Sequence, residues 1–170
     1  MQWRWARAHD EVVIKGEGGA LATRKQSDYG NSGYSWRPAV CGEVLQAEGE
    51  AYAEFTWVGG NNPMVGVARA GVDPSSVRGG LYTTADGWMY RCYGGLHFHN
   101  SRVTPWASGG SQGIERGGTV GLLLRRGSLS VHIGGRQVGV MCTGLSGELV
   151  WAGDLYDGGS VRIARKPPPP

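Results

Sequence analysis

Residues 49–67, GEAYAEFTWVGGNNPMVGV, constrain the fold of this chain more than any other segment. Tyr52, Glu54, Thr56 and Val58 alternate with Ala53, Phe55 and Trp57. A strand sends successive side chains to opposite faces, so one face here is apolar and the other mixed. Gly59, Gly60, Asn61, Asn62 and Pro63 then stop the strand. Glycine and asparagine tolerate positive φ, and proline brings no N–H to a ladder. Met64 to Arg69 follows as a second strand built on Val65-Gly66-Val67-Ala68. Two strands and a turn of this kind predict an antiparallel sheet with one face on a core.

The chain has 170 residues, 40% of them hydrophobic. That is enough for one domain, which would bury about 70% of the surface its unfolded form exposes. Such a core needs no disulfide or metal. No apolar run approaches the roughly 18 residues of a membrane span. The opening MQWRWARAHDEV has no apolar h-region, so no signal peptide is expected. The net charge is +3, from 17 basic and 14 acidic residues. The basic residues are scattered apart from the pairs Arg24-Lys25, Arg125-Arg126 and Arg165-Lys166. A nucleic-acid binder carries a denser patch, so neither nucleic acid nor membrane is an expected partner. Cys41, Cys92 and Cys142 are widely spaced and cannot all pair. Reduced, buried thiols in an intracellular, cytoplasmic protein are the expectation.

Short strands divided by glycine-rich turns predict an all-β sandwich. Strands are expected near 11–15, 20–24, 51–58, 64–70, 87–92, 118–125, 128–133, 136–141, 148–155 and 160–164. One helical turn is expected near 73–78, with Asp73 as its cap and Pro74 at its first position. The apolar run from Thr119 to Leu124 suits a central strand covered on both faces. Leu129, Val131 and Ile133 then point to the core, and Ser130 and His132 away from it. Gly134-Gly135 suits a two-residue hairpin turn. Residues 24–42 and 93–117 read as long irregular stretches, which in a compact domain are commonly functional. Tyr29, Tyr34 and Trp36 lie in the first. Residues 1–166 read as a single domain, with an extension over about 1–10. Trp3 and Trp5 in that extension either cap the sandwich or dock on a partner. Pro167 to Pro170 favour polyproline II and read as a tail or linker.

Gly49-x-x-Tyr52-x-Glu54, followed by Val65-Gly66-Val67-Ala68, resembles the core signature of the SPRY domain family. Further segments are similar in the same order. They are Arg37-Pro38-Ala39-Val40, Trp88-x-Tyr90, the run from Gly118 to Leu124, Leu129 to Gly135, Leu149 to Ala152, and Ser160 to Ile163. Arg125 stands where the family commonly has an acidic residue, Gly134 where it has Asn, and Trp151 where it has Pro. The resemblance implies an antiparallel two-sheet β-sandwich of the concanavalin-like jelly-roll type. It also implies a non-catalytic module, without cofactor, that holds a short segment of a partner protein with loops at one end. An adaptor, scaffold or substrate receptor, monomeric as a domain, is the function of that kind.

The positions similar to the family's contacting loops are Arg37 and Pro38, Tyr82 and Thr83, His97, His99 and Asn100, and Tyr156 and Asp157. Arg37 would meet an acidic or carbonyl group, Tyr82 and Tyr156 would be flat walls, and Thr83 a small hydrogen bonder. Buried aromatics and arginines dominate interface energies. Trp57, Trp88 and Trp151 are expected in the core. Glu54 is expected to pair with an arginine or with backbone N–H groups.

The residues resemble other chemistries at two places and lack the motifs of several more. Leu96-His97-Phe98-His99-Asn100-Ser101-Arg102 resembles the H-x-N-x-R sugar-binding run of galectins, although His97 is one residue too far from Asn100. Cys92, His97 and His99 offer three metal-ligand types with no evident fourth. No nucleophile elbow, P-loop, H-E-x-x-H or G-x-G-x-x-G occurs, and Asp10-Glu11 read as exposed carboxylates near an end. An alternative is a structural subunit that holds neighbours in an assembly through its sheet faces.

Overall fold

The structure is a computed structural model and describes residues 2–26, 36–110 and 112–170. Tyr29 and Tyr34 lie outside the described residues. The first strands are β1 (Trp5–Ala8), β2 (Val12–Lys15), β3 (Leu21–Arg24), β4 (Arg37–Cys41), β5 (Leu45–Gln46) and β6 (Glu50–Gly59). Next come β7 (Met64–Arg69), β8 (Gly87–Arg91), β9 (His97–His99), β10 (Arg102–Val103) and β11 (Ser108–Gly109). The last are β12 (Thr119–Arg125), β13 (Ser128–Ile133), β14 (Arg136–Cys142), β15 (Glu148–Leu155) and β16 (Ser160–Arg165). One sheet runs β1-β4-β15-β7-β8-β9-β10, with β5 also on β15. The other runs β11-β14-β13-β12-β6-β16-β3-β2. Every pairing is antiparallel. The two-sheet sandwich expected from the alternating strands is the observed architecture.

The inner faces meet in one apolar core. Ala53, Phe55 and Trp57 of β6 enter it with Val120, Leu122 and Leu124 of β12 and Leu129 and Val131 of β13. Trp5, Trp151 and Leu149 enter it from the other sheet. Aromatic rings link the two layers. Trp5 lies 6.2 Å from Phe55, Phe55 lies 5.9 Å from Trp151, and Trp151 lies 6.2 Å from Trp3. These are tilted and edge-on contacts, the arrangement ring quadrupoles favour. The segment read as an extension thus supplies an edge strand, and its two tryptophans lie in the core.

The outer face of the first sheet carries a second apolar layer. Val40, Met64, Ala68, Met89, Val150 and Ala152 rise from the strands, and Val77 and Leu81 press on them from above. The covering segment begins with the expected turn: Pro74–Ser76 is a short 3-10 helix, and Asp73 Oδ1 accepts from Ser75 N at 3.0 Å. Leu81–Thr83 forms a second such turn.

Both stretches read as irregular contain strands. Arg37–Cys41 pairs with β1 and β15 despite Pro38. The β1 pairing stops at Ala39, and Pro38 O accepts from His9 N at 2.9 Å on that side. An N–H at residue 38 would face His9 O, which already accepts from Val12 N at 2.9 Å, so proline leaves no acceptor unfilled there. Residues 93–117 hold β9, β10 and β11, each too short to show a period.

Four side chains differ from expectation. Trp88 is half-buried at the rim, with His99 stacked at 4.7 Å and the Arg69 guanidinium 4.9 Å from its ring. Among the described residues Glu54 has no arginine or backbone partner; Tyr52 donates its hydroxyl to Glu54 Oε1 at 3.4 Å. Ser130 and His132 point away from the core, yet they are buried. Tyr52 packs edge-on to His132 at 6.1 Å, and Ser130 Oγ lies 3.1 Å from His132 Nε2. Leu123 beside them is buried too, so β12 is covered on both faces.

Candidate functional site

At one end of the first sheet, the side chains of Tyr82 and Tyr156 converge on Trp36. Its ring centroid lies 5.2 Å from that of Tyr82 and 4.6 Å from that of Tyr156. Tyr82 also meets Phe98 edge-on at 5.5 Å. Trp36, Tyr82 and Tyr156 are each partly exposed. Three aromatic faces far apart in sequence thus form one surface patch. Burial, then the Asp154 charge, then Tyr156 push the Tyr82 hydroxyl above its ordinary pKa.

The patch rests on fixed groups. Asp154, on β15, is fully buried; its Oδ1 accepts from Leu81 N at 2.8 Å and its Oδ2 from Tyr82 N at 2.9 Å. Each oxygen takes one backbone donor, so the carboxyl fixes the Tyr82 turn to the sheet. Burial raises its pKa to about 7, against the lowering effect of the two N–H groups. Gly80 precedes this turn at φ 97. A side chain there would be strained, and its Cβ would come within 2.9 Å of Trp36 Cβ and 3.2 Å of the Asp154 carboxyl carbon. Trp36 Nε1 donates to Asn62 O at 3.3 Å, and the Asn62 side chain accepts from Tyr93 N at 2.8 Å.

Arg37 stands beside Trp36 but turns inward. Its Nε donates to Glu11 Oε2 at 3.1 Å, and its Nη1 to Arg78 O at 2.6 Å. Glu11 Oε2 also accepts from Arg24 Nη2 at 3.1 Å. Arg24 is 1% exposed, and its Nη1 lies 3.4 Å from Leu155 O. One carboxylate between two guanidiniums therefore joins β3, β4 and the turn before β2. Glu11, read from the sequence as a bystander, holds this end together. A charged group this buried is tolerated when paired and hydrogen-bonded.

The remaining expected site residues divide. Thr83 Oγ1 donates to Gly80 O at 2.7 Å, within the turn. Asn100 forms the hairpin tip between β9 and β10 at φ 52, and its N–H donates to Thr84 O at 3.1 Å. Ser101 N donates to Tyr82 O at 2.8 Å, so this tip leans on the aromatic patch. Asp157 follows Tyr156, and its carbonyl accepts from Asn61 Nδ2 at 3.2 Å. Pro38 is buried in the strand. His99 lies flat on Trp88 with Nδ1 2.8 Å from Gly87 O. His97 is 1% exposed and faces inward, so it offers nothing to a ligand at the surface. Of the residues that match the galectin-like pattern, Asn100 and Arg102 face outward and His97 does not. Among the described residues, no group of three His, Cys, Asp or Glu is placed to hold a metal. No helix of the described residues is long and apolar enough to cross a membrane. Burial pushes the thiols of Cys41, Cys92 and Cys142 upward, the last to about 12.

An all-β sandwich with a loop-borne aromatic patch at one end defines the class. No protein-family model and no curated protein matches the sequence. Solved structures do match it. Against the SPRY domain of human HERC1 the TM-score is 0.74, over 96% of this chain and 97% of that one, at 19% identity. Against the TRIM65 PSpry domain it is 0.72, over 98% and 93%, at 14% identity. Against stonustoxin it is 0.68, over 95% of this chain and 28% of that one, at 16% identity. The particular sandwich is that of SPRY domains, and the chain has the SPRY fold.

Proposed function

We propose that this chain is a non-catalytic protein-binding module that seats a short segment of a partner protein on Trp36, Tyr82 and Tyr156. The observation that carries this reading is the convergence of three partly exposed rings from three separate segments on a fixed support. Aromatic side chains offer large contact area at low entropic cost, and rigid scaffolds are where loops carry recognition. Thr83, Asn100 and Asp157 form the polar rim in this reading. Arg37 acts as a post that orients Trp36. The likeness to SPRY domains supports a protein-interaction module in general; in this reading the chain works inside cells as an adaptor or scaffold.

The test needs no known partner. A phage-displayed random peptide library is panned on the folded protein, and the enriched peptide is titrated by fluorescence polarisation. Trp36→Ala and Tyr82→Ala are expected to weaken binding at least 30-fold, which corresponds to about 2 kcal/mol. Gln137→Ala, on the exposed edge of the second sheet, is expected to leave it unchanged. Circular dichroism confirms that each variant folds. Equal binding by a folded Trp36→Ala protein would remove the patch from contention. Loss confined to variants of the sheet faces would favour the structural-subunit reading.

A further inference from the structure

The four prolines at residues 167–170 belong to neither apolar cluster. Proline fixes φ and pushes the residue before it toward extended backbone. Lys166 through Pro169 each precede a proline, so the segment is held in polyproline II without help from the core. With three residues per turn, Pro167 and Pro170 share one edge. Lys166, Pro167, Pro168 and Pro170 are all exposed.

The point of exit is fixed. The Arg165 guanidinium sits 4.2 Å from the Trp3 ring and 3.6 Å from the Glu43 carboxylate. Trp3 is itself buried, and its Nε1 donates to Tyr52 O at 2.8 Å. The last residue of β16 is thus anchored to the core, and Lys166, Pro167 and Pro168 continue from it along a shallow depression shared with Trp3, Glu50, Ala51 and Tyr52, exposed on their outer side. Ser160, at the other end of β16, adjoins the loop that carries Tyr156. Six residues of strand span about 17 Å. The proline segment and the aromatic patch therefore lie at opposite ends of the sandwich, and both can be occupied at once.

We propose that residues 165–170, RKPPPP, form a second interaction site. Its partner is a domain with an aromatic-lined groove for a polyproline II chain and an acidic rim that takes Lys166. The segment is ordered before docking, so little conformational entropy is lost on binding. Its prolines donate no N–H, and their exposed carbonyls accept from groove donors such as Trp and Tyr. Lys166 supplies the charge that sets orientation, and salt screens that contact. The site makes the protein a two-ended connector, and it does not depend on what the aromatic patch binds.

The probe is a purified SH3 domain with an acidic-rimmed groove, titrated into the full chain. Binding is followed by calorimetry and by the amide resonances of the chain. Saturable binding is expected, with shifts concentrated at Arg165 and Lys166. A Pro167→Ala, Pro170→Ala double variant should weaken it at least 10-fold, and Lys166→Glu and added salt should each weaken it further. These positions are exposed, so the variants should fold as the parent does. Absence of saturable binding, shifts centred on Trp36 instead, or equal binding by the double variant would overturn the proposal. Absence of binding, or equal binding by the double variant, leaves the peptide test with Trp36 and Tyr82 untouched, whereas shifts at Trp36 would point to that patch instead.

Discussion

Replacing Trp151 by alanine is expected to destabilise the protein by about 3–5 kcal/mol, the range for emptying a large buried aromatic site. Trp151 is completely buried on β15, the strand between β4 and β7. Its ring meets Trp3 at 6.2 Å and Phe55 at 5.9 Å, so its loss leaves both without an edge contact. Two sheets cannot close over the gap without shifting their strands, because interiors pack at crystal-like density. For a chain of this size, that loss lowers the melting temperature by roughly 10 °C. Trp151→Phe keeps a ring in the site and should cost much less. Among the described residues the indole Nε1 has no partner, so phenylalanine forfeits no hydrogen bond to them. Thermal unfolding of the three proteins checks this. An alanine variant as stable as its parent would mean that Trp151 does not hold the sheets together.

Much of this fold is legible in the sequence. Alternation marked β6, and the apolar run of β15 matched its observed limits. Gly134 and Gly135 take φ 60 and 77, as their two-residue hairpin requires. The strands that escaped have physical reasons. Pro38 argues against a strand until its neighbour is known to stop one residue short. The three short strands between residues 93 and 117 are held by their partners, and sheet pairing depends more on context than on intrinsic preference. Trp88 reads as core from its size, but β8 places it at the rim beside His99.

The candidate site was legible in its parts and not in its assembly. Tyr82 and Tyr156 stood out as aromatics in loops, and the structure sets both against Trp36. Trp36 carries no sequence signal beyond being an aromatic in an irregular stretch. The Glu11–Arg24–Arg37 arrangement joins residues 13 and 26 apart, spacings that carry no local signal. Asp154 had a signal that could have been used. It is an acid inside the otherwise uncharged run of β15, Leu149 to Leu155. A charge in such a run must be satisfied by donors from elsewhere, and here the Tyr82 turn provides them.

His97 gives the second large effect, and it depends on pH. Burial lowers its pKa to about 4, the nearby His99 adds to the lowering, and the Pro105 carbonyl opposes it. Among the described residues neither ring nitrogen has a well-formed hydrogen bond. The unfolded chain has an ordinary histidine near 6.5, so between these values it binds the proton more tightly than the folded protein. The contribution of neutral His97 is therefore fully present above pH 6.5 and is lost as pH falls through about 4. The gap corresponds to about 3 kcal/mol. Asp154 acts in the opposite sense: its folded pKa is raised to about 7, so its contribution is lost as pH rises toward that value. The two trends offset each other, and the stability of the parent protein alone would hide both. The difference between parent and His97→Phe isolates the histidine, because Asp154 is common to the two proteins. Relative to that variant, the parent should lose about 3 kcal/mol between pH 6.5 and pH 4, read from urea unfolding at each pH. A difference that stays constant across this range would mean that His97 accepts a proton in place, and that its surroundings supply an acceptor for the charged ring.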